Sequence, residues 1–250
     1  LFQVKEFREP FLGGGSVALE ITKRYPHINI WVNDLYEPLY NFWCELQHNG
    51  QELQDALLGI KSIYCNPDAA RCLFITSKEQ INDSDLSNFD RAVAFYIVNK
   101  CSFSGLTESS SFSAQASESN FSTNGIERLT EYSEIIERWK ITNLSYESML
   151  CDDKDTFIYL DPPYDIKDNL YGKKGEMHKR FDHDKFAHDC DQHTCPMLIS
   201  YNSDQIIRDR FYEWTVGEFA HTYTMRSVGC YNIDQATRKE LVLTNYEMRS

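Results

Sequence analysis

Phe157-Ile158-Tyr159-Leu160-Asp161-Pro162-Pro163-Tyr164 is the stretch on which the reading of this chain turns. An apolar run that short, closed by prolines that cannot donate to a sheet ladder, predicts a buried strand that stops abruptly and hands its last residues to a loop. At the carboxyl edge of a parallel sheet, Asp161 would face the ligand crevice as an acceptor, beside the carbonyls that Pro162 and Pro163 leave unpaired. Tyr164 would add a flat ring face. A carboxylate, a bare carbonyl and an aromatic plane together suit a planar amine, with acceptors for both its hydrogens and a surface on which it can stack.

Toward the amino terminus, Val4 to Phe7 predicts a first strand, followed by Pro10-Phe11-Leu12 and then Gly13-Gly14-Gly15-Ser16. Val17 to Arg24 reads as a helix with Ser16 as its cap. Strand, glycine turn and helix let a backbone approach a nucleotide-like ligand closely. The glycines by themselves are more often only a flexible turn, and no Gly-Lys-Ser/Thr follows to make a P-loop. A second strand, Ile28 to Val32, ends in Asn33-Asp34. An acid there fits a ribose contact, and it fits equally a cap for the next helix. That helix is expected over Pro38 to Leu58, with Leu39, Phe42, Trp43 and Leu46 as a core stripe.

From Gly59 to Lys140 the alternation of strand and helix stops. Helices are expected over Phe89 to Val98 and Ile126 to Trp139, separated by a serine-rich stretch that includes Ser104. The whole block reads as an insertion of residues 59–140 into a domain made of 1–58 and 141–250. Strands resume at Ile141 to Tyr146, ending in Glu147, and continue with the stretch quoted first. Beyond it come a locally basic segment from Lys167 to Lys185, a helix over Asp184 to His193, and a strand at Met197 to Ser200. A helix over Ser203 to Phe211 follows. The final strand pair, Trp214 to Phe219 and Leu241 to Thr244, flanks a loop holding Arg226, Arg238 and Lys239.

The 250 residues carry a formal net charge of −13, so the overall field opposes nucleic acid and any such contact needs a local basic patch. No stretch is apolar enough to span a bilayer and no signal-peptide pattern is present. The eight scattered cysteines suit reduced thiols in a cytoplasmic enzyme. His183, His188, Cys190, His193 and Cys195 invite a zinc reading, but they share one expected helix with aspartates between them and no paired Cys-x-x-Cys brackets them. Ser16 lacks a nucleophile elbow, which argues against covalent hydrolysis.

With those parts in order, the chain resembles the Dam-like (D12 class) DNA adenine-N6 methyltransferases. The resemblance rests on Glu9-Pro10-Phe11-Leu12-Gly13-Gly14-Gly15-Ser16, on Asn33-Asp34 and on Asp161-Pro162-Pro163-Tyr164. Weaker echoes run from Asn99 to Leu106, Ser145 to Met149, Leu198 to Asn202 and Arg238 to Leu241. It implies a mostly parallel, seven-stranded, doubly wound α/β sheet of the Rossmann-like methyltransferase type, with a largely helical target-recognition insertion. It implies S-adenosylmethionine as methyl donor, held by Pro10 to Ser16, Asn33, Asp34, Tyr146, Glu147 and Asp161. It assigns catalysis to Asp161, Pro162, Pro163 and Tyr164, acting without metal on an adenine flipped out of double-stranded DNA.

DNA contacts are expected from Lys100, Ser104, Lys173, Lys174, Arg226, Arg238 and Lys239, with the lysines and arginines meeting phosphates. The serines after Glu108 lack the nearby arginine of the GATC readers, so no target sequence carries over. The family's lysine-bearing cofactor segment would precede Leu1, and the chain is expected to lack its native amino terminus. A monomeric enzyme of the restriction-modification kind is the resulting expectation. An RNA adenine methyltransferase and a non-catalytic nucleic-acid-binding module on the same fold are the rival readings, and a phosphate-transfer enzyme is a distant third.

Overall fold

A computed structural model describes residues 4–102, 110–164, 181–221 and 238–247. Among them one sheet of seven strands forms in the order β3-β2-β1-β4-β5-β7-β6. The strands are β1 Glu6–Glu9, β2 Asn29–Asn33, β3 Lys140–Thr142, β4 Thr156–Leu160, β5 Met197–Asn202, β6 Thr215–His221 and β7 Arg238–Thr244. Neighbours from β3 through β5 pair in parallel, while β7 runs antiparallel between β5 and β6. The expected mostly parallel α/β sheet is therefore present.

The strand reversal falls between β1 and β4, which pair at Phe7 and Phe157. From there the order runs to β2 and β3 on one side and to β5 on the other. The carboxyl ends of β1 and β4 thus open into the crevice where doubly wound sheets take their ligands. The glycine turn leaves one of those ends and Asp161 leaves the other.

Two strands differ from expectation. β1 lies two residues later than Val4 to Phe7, so that Glu6 and Arg8 sit inside a central strand. Arg8 is satisfied there: its Nε meets Glu6 at 2.6 Å, its Nη1 donates to the Met149 carbonyl at 2.8 Å, and the guanidinium covers the Trp31 ring. β3 ends at Thr142, and Tyr146–Met149 form a 3-10 turn, so Tyr146 and Glu147 project from a turn and not from a strand.

The helices before β3 are α1 Ser16–Arg24, α2 Glu37–His48, α3 Gly50–Ile63, α4 Pro67–Gln80, α5 Asn88–Cys101, α6 Ala114–Ser119, α7 Thr123–Glu127 and α8 Leu129–Ile136. The helix expected over Pro38 to Leu58 is broken at Asn49. A Cβ on Gly50 would stand 2.3 Å from that of Ser133, so this position accepts α8 only because it is glycine. The expected boundary at residues 58 and 59 falls inside α3. Helix α5 packs on α2, and α8 packs on α1, α2 and α3. One buried cluster runs from Phe7 and Val32 in the sheet to Phe95, Ile136 and Trp139 among residues 59–140.

After the sheet's centre come α9 His183–Asp191, capped by Asp182, and α10 Gln205–Arg210, capped by Asp204. Cys190 and Cys195 are fully buried in a second apolar cluster with Phe186, Ile199 and Tyr201. Burial pushes both thiols above their ordinary range, so they stay protonated. Among the described residues no group of three histidines, cysteines or acids is placed to hold a metal, and no helix is long and apolar enough to cross a membrane.

Candidate active site

A cavity of about 950 Å³ occupies the crevice at the carboxyl ends of β1, β2 and β4. The loop from Pro10 to Ser16, Asp34, Tyr146, Glu147 and the residues from Asp161 to Tyr164 all line it. Residues far apart in sequence meet there because their strands are neighbours in the sheet.

The glycine loop is held on several sides. Gly13 and Gly15 have φ of 49° and 66°, the left-handed region that costs glycine nothing. Gly13 donates its N–H to Asp34 Oδ2 at 2.9 Å, and its carbonyl accepts Trp43 Nε1 at 3.1 Å. A Cβ on Gly15 would meet the Trp43 ring at 2.9 Å. No neighbour lies within 4 Å of where a Cβ would stand on Gly13 or Gly14, which leaves their backbone open to a ligand. Trp43, read from sequence as core, is buried but also shapes this loop.

Ser16 does not cap α1. The cap position is Gly15, and no side chain there bonds the helix. Glu9 takes over instead, accepting the Ala18 N–H on Oε2 at 2.8 Å from the end of β1. Glu9 is only 3% exposed, yet it lines the cavity. Burial raises its carboxyl well above the ordinary range; the Ala18 bond opposes that rise, and the charges of Asp161 and Asp34 add to it.

Asp34 lines the cavity and ties the start of the next segment to the glycine loop; it does not cap α2, whose cap position is Tyr36 with no side-chain bond. Oδ1 accepts the Tyr36 N–H at 2.9 Å, and Oδ2 holds Gly13. Burial pushes the carboxyl up to about 6, against the pull of those two N–H groups. Asn33 does not line the cavity. It is 1% exposed and ties two loops together, its Nδ2 donating to the carbonyls of Pro10 and Leu144 and its Oδ1 accepting from Thr142 and Leu144. Asn33 therefore positions the site beside Asp34 without reaching into it.

Asp161 opens toward the cavity while protein surrounds it below. Its Oδ1 accepts from Ser200 Oγ at 2.7 Å, and Ser200 in turn meets the Tyr159 hydroxyl at 3.0 Å. Burial raises the carboxyl, as does the charge of Glu240; the hydrogen bonds from Ser200 and Tyr164 pull it back. Tyr164 lies 6.0 Å from Tyr201, ring centre to ring centre.

Aromatic rings form one wall. Phe11 stacks on Tyr146 at 5.7 Å, and Phe181 meets Phe11 edge-on at the same distance. Tyr146 donates to Asp189 at 2.7 Å, and Lys185 links that acid to Glu147 at 2.6 and 2.8 Å. Burial alone would raise Glu147, but hydrogen bonds from Lys185 and Ser145 outweigh it and hold the carboxyl below its usual value. Phe181 was not singled out in the sequence, where it stands alone amid charged residues.

Lys100, at the end of α5, also lines the cavity, with its ammonium 5.5 Å from the Tyr96 ring centre and its pKa lowered by burial. Arg128, another cavity residue, was not anticipated. Ser104, Lys173, Lys174 and Arg226 lie outside the described residues. Arg238 and Lys239 belong to β7, paired with His221 and Ala220, and not to a loop.

This strand order with a glycine turn and acids at its carboxyl edge defines a Rossmann-like methyltransferase domain. More narrowly, the chain belongs to the family of D12 class N6 adenine-specific DNA methyltransferases, whose model matches residues 2–226. It is also similar to the Type II methyltransferase M.MjaIII of Methanocaldococcus jannaschii, with 22% identity over 172 residues covering 64% of this chain. The match spans 59% of that curated relative's length.

Proposed function

We propose that the protein transfers a methyl group from S-adenosylmethionine to the N6 amine of an adenine in duplex DNA. The observation that carries this reading is the convergence on one cavity of the open glycine backbone, Asp34 and the Asp161 to Tyr164 loop. The residues fit the cofactor: an aromatic wall for a purine, an acid for ribose hydroxyls, and acids around the cavity for a cation. When bound, the cofactor supplies a methyl carbon activated by sulfonium charge. Asp161 and the Pro162 carbonyl accept the two hydrogens of the amine, drawing its lone pair out of conjugation and aiming it at that carbon. Tyr164 offers the base a stacking face worth roughly 1–3 kcal/mol, which offsets part of the cost of flipping. Positioning and electrostatics carry the step.

The test is label transfer from methyl-labelled S-adenosylmethionine to adenine-containing duplexes, adenine-free duplexes and structured RNA. Label in N6-methyladenine of the first alone is expected; label in RNA alone would replace DNA by RNA as substrate. In this reading the inserted helices face the nucleic acid and Lys100 meets a phosphate. Lys100→Ala is then expected to weaken duplex binding evenly across sequences and to reduce the slope of log affinity against log salt by about 1. An unchanged slope in a salt titration would remove Lys100 from the phosphate contacts.

A further inference from the structure

We propose that Glu9 distinguishes the sulfonium donor from the thioether product, by giving up a proton when the positively charged donor binds and regaining it when the product remains. The proposal rests on the cofactor reading above and adds a specificity-determining residue to it.

Glu9 is almost wholly buried, yet it borders the cavity, and its side chain accepts the Ala18 N–H on Oε2. The charged groups acting on it are both acids, Asp161 at the end of β4 and Asp34 at the end of β2. Tyr159 of β4 also feels its charge, and Glu240 of β7 acts on Asp161 and Tyr159. A helix cap alone does not call for this arrangement. Serine or asparagine caps a helix without burying an ionisable group among like charges. An acid placed so is neutralised either by a proton or by a cation.

Donor and product share their adenosine and their ammonium and carboxylate groups; they differ by the methyl group and one positive charge at sulfur. If Asp161 holds the amine, the sulfur lies between Asp161 and the glycine loop, the region that Glu9 borders from below. Entry of the cation converts the Glu9 acid to carboxylate and releases one proton to buffer, so charge within the cavity stays balanced. After transfer the amine has lost a proton to water and the sulfur is neutral. The Glu9 carboxylate is again a buried charge among acids, and it recovers its proton from solvent. Asp34 faces the adenosine common to both ligands, so its titration cancels in the comparison.

The test is titration calorimetry on the full chain in buffers of different ionisation heat, with the donor, the product and an aza analogue whose protonated nitrogen replaces the sulfonium. At pH 7 the donor and the aza analogue are expected to release more protons than the product. The donor-to-product affinity ratio should rise as pH increases through the raised titration of Glu9. Glu9→Gln, which keeps an oxygen for the Ala18 N–H, should lose most of the extra proton release and lower the ratio about tenfold, with product affinity retained. An undiminished proton excess in that variant overturns the proposal, as do equal proton counts for donor and product in the wild type. Equal counts in the wild type overturn the proposal even if the variant fails to fold. Absence of binding by all three ligands overturns the cofactor reading itself, and is thereby told apart from failure of the Glu9 proposal.

Discussion

Asp161→Ala is expected to bind S-adenosylmethionine and to transfer its methyl group about 10²–10⁴-fold more slowly, the range ascribed to a positioned group that handles a reacting proton or lone pair. The carboxyl does more than neutralise charge. Ser200 and Tyr164 fix its orientation, leaving acceptor capacity toward the cavity where an amine would sit. The alanine variant removes that acceptor and keeps the Pro162 carbonyl. The amine then loses one of the two contacts that hold it out of conjugation. Single-turnover kinetics separate this from a binding defect: the transfer rate should fall while the donor's Kd changes little. The fold is expected to survive. Because burial raises the Asp161 carboxyl, its ionised form is the less favourable one in the folded state, so the thermal midpoint of the variant at pH 8 should equal or exceed that of the wild type. A variant with full transfer rate would refute the role given to Asp161.

Asp34→Ala is the second large expected effect, and it acts on binding. Two hydroxyl hydrogen bonds to an ionised carboxylate are together worth about 3 kcal/mol, so the donor's Kd should rise about 100-fold. Part of the loss comes from the loop, because Gly13 and Tyr36 lose the acceptor that pins their N–H groups. The pH profile identifies the carboxyl. With its folded value pushed up to about 6, Asp34 takes up a proton as pH falls through that value and becomes a poorer acceptor. Wild-type affinity for donor and product alike should therefore decline below about pH 6, whereas the alanine variant should stay flat there. Stability runs the other way. The folded value lies above the ordinary 3.8, so the contribution of Asp34 to stability in the ligand-free protein is greatest below that value and lost as pH rises through about 6. The stability advantage of the wild type over the variant should narrow across the same window in calorimetric scans. Equal pH profiles for the two proteins would assign the binding role to another group.

Each of these residues was legible in the sequence for a local reason. A short apolar run followed by prolines marks a strand end whatever surrounds it, and β4 stops at Leu160, one residue before Asp161. Alternating and helical hydrophobic periods likewise predict α5, β5 and the closing β6 and β7 pair to within a few residues, because burial on one face is recorded in every turn or pleat. The strand-glycine-helix order, the acid after β2 and the resemblance built on them pointed to the same cavity.

What the tertiary structure alone decided are the relations between distant segments. That β1 lies beside β4 brings the glycine loop to Asp161, and no local period carries that adjacency. The cap of α1 comes from Glu9 and not from Ser16, because the chain reverses between β1 and α1 and delivers a carboxyl oxygen from the strand below. The expected helix breaks at Asn49, and Gly50 beyond it leaves the space that Ser133 of a later helix fills. Asn33 turns inward because the carbonyls of Pro10 and Leu144 lie within its reach, so the acid beside it is left to face the cavity. The sequence by itself determined most of the strands, helices α1 and α5, and the residue types that end β2 and β4. Only the packing of those segments determined which carboxyls share a cavity, and burial in that shared space is what raises Glu9, Asp34 and Asp161 together.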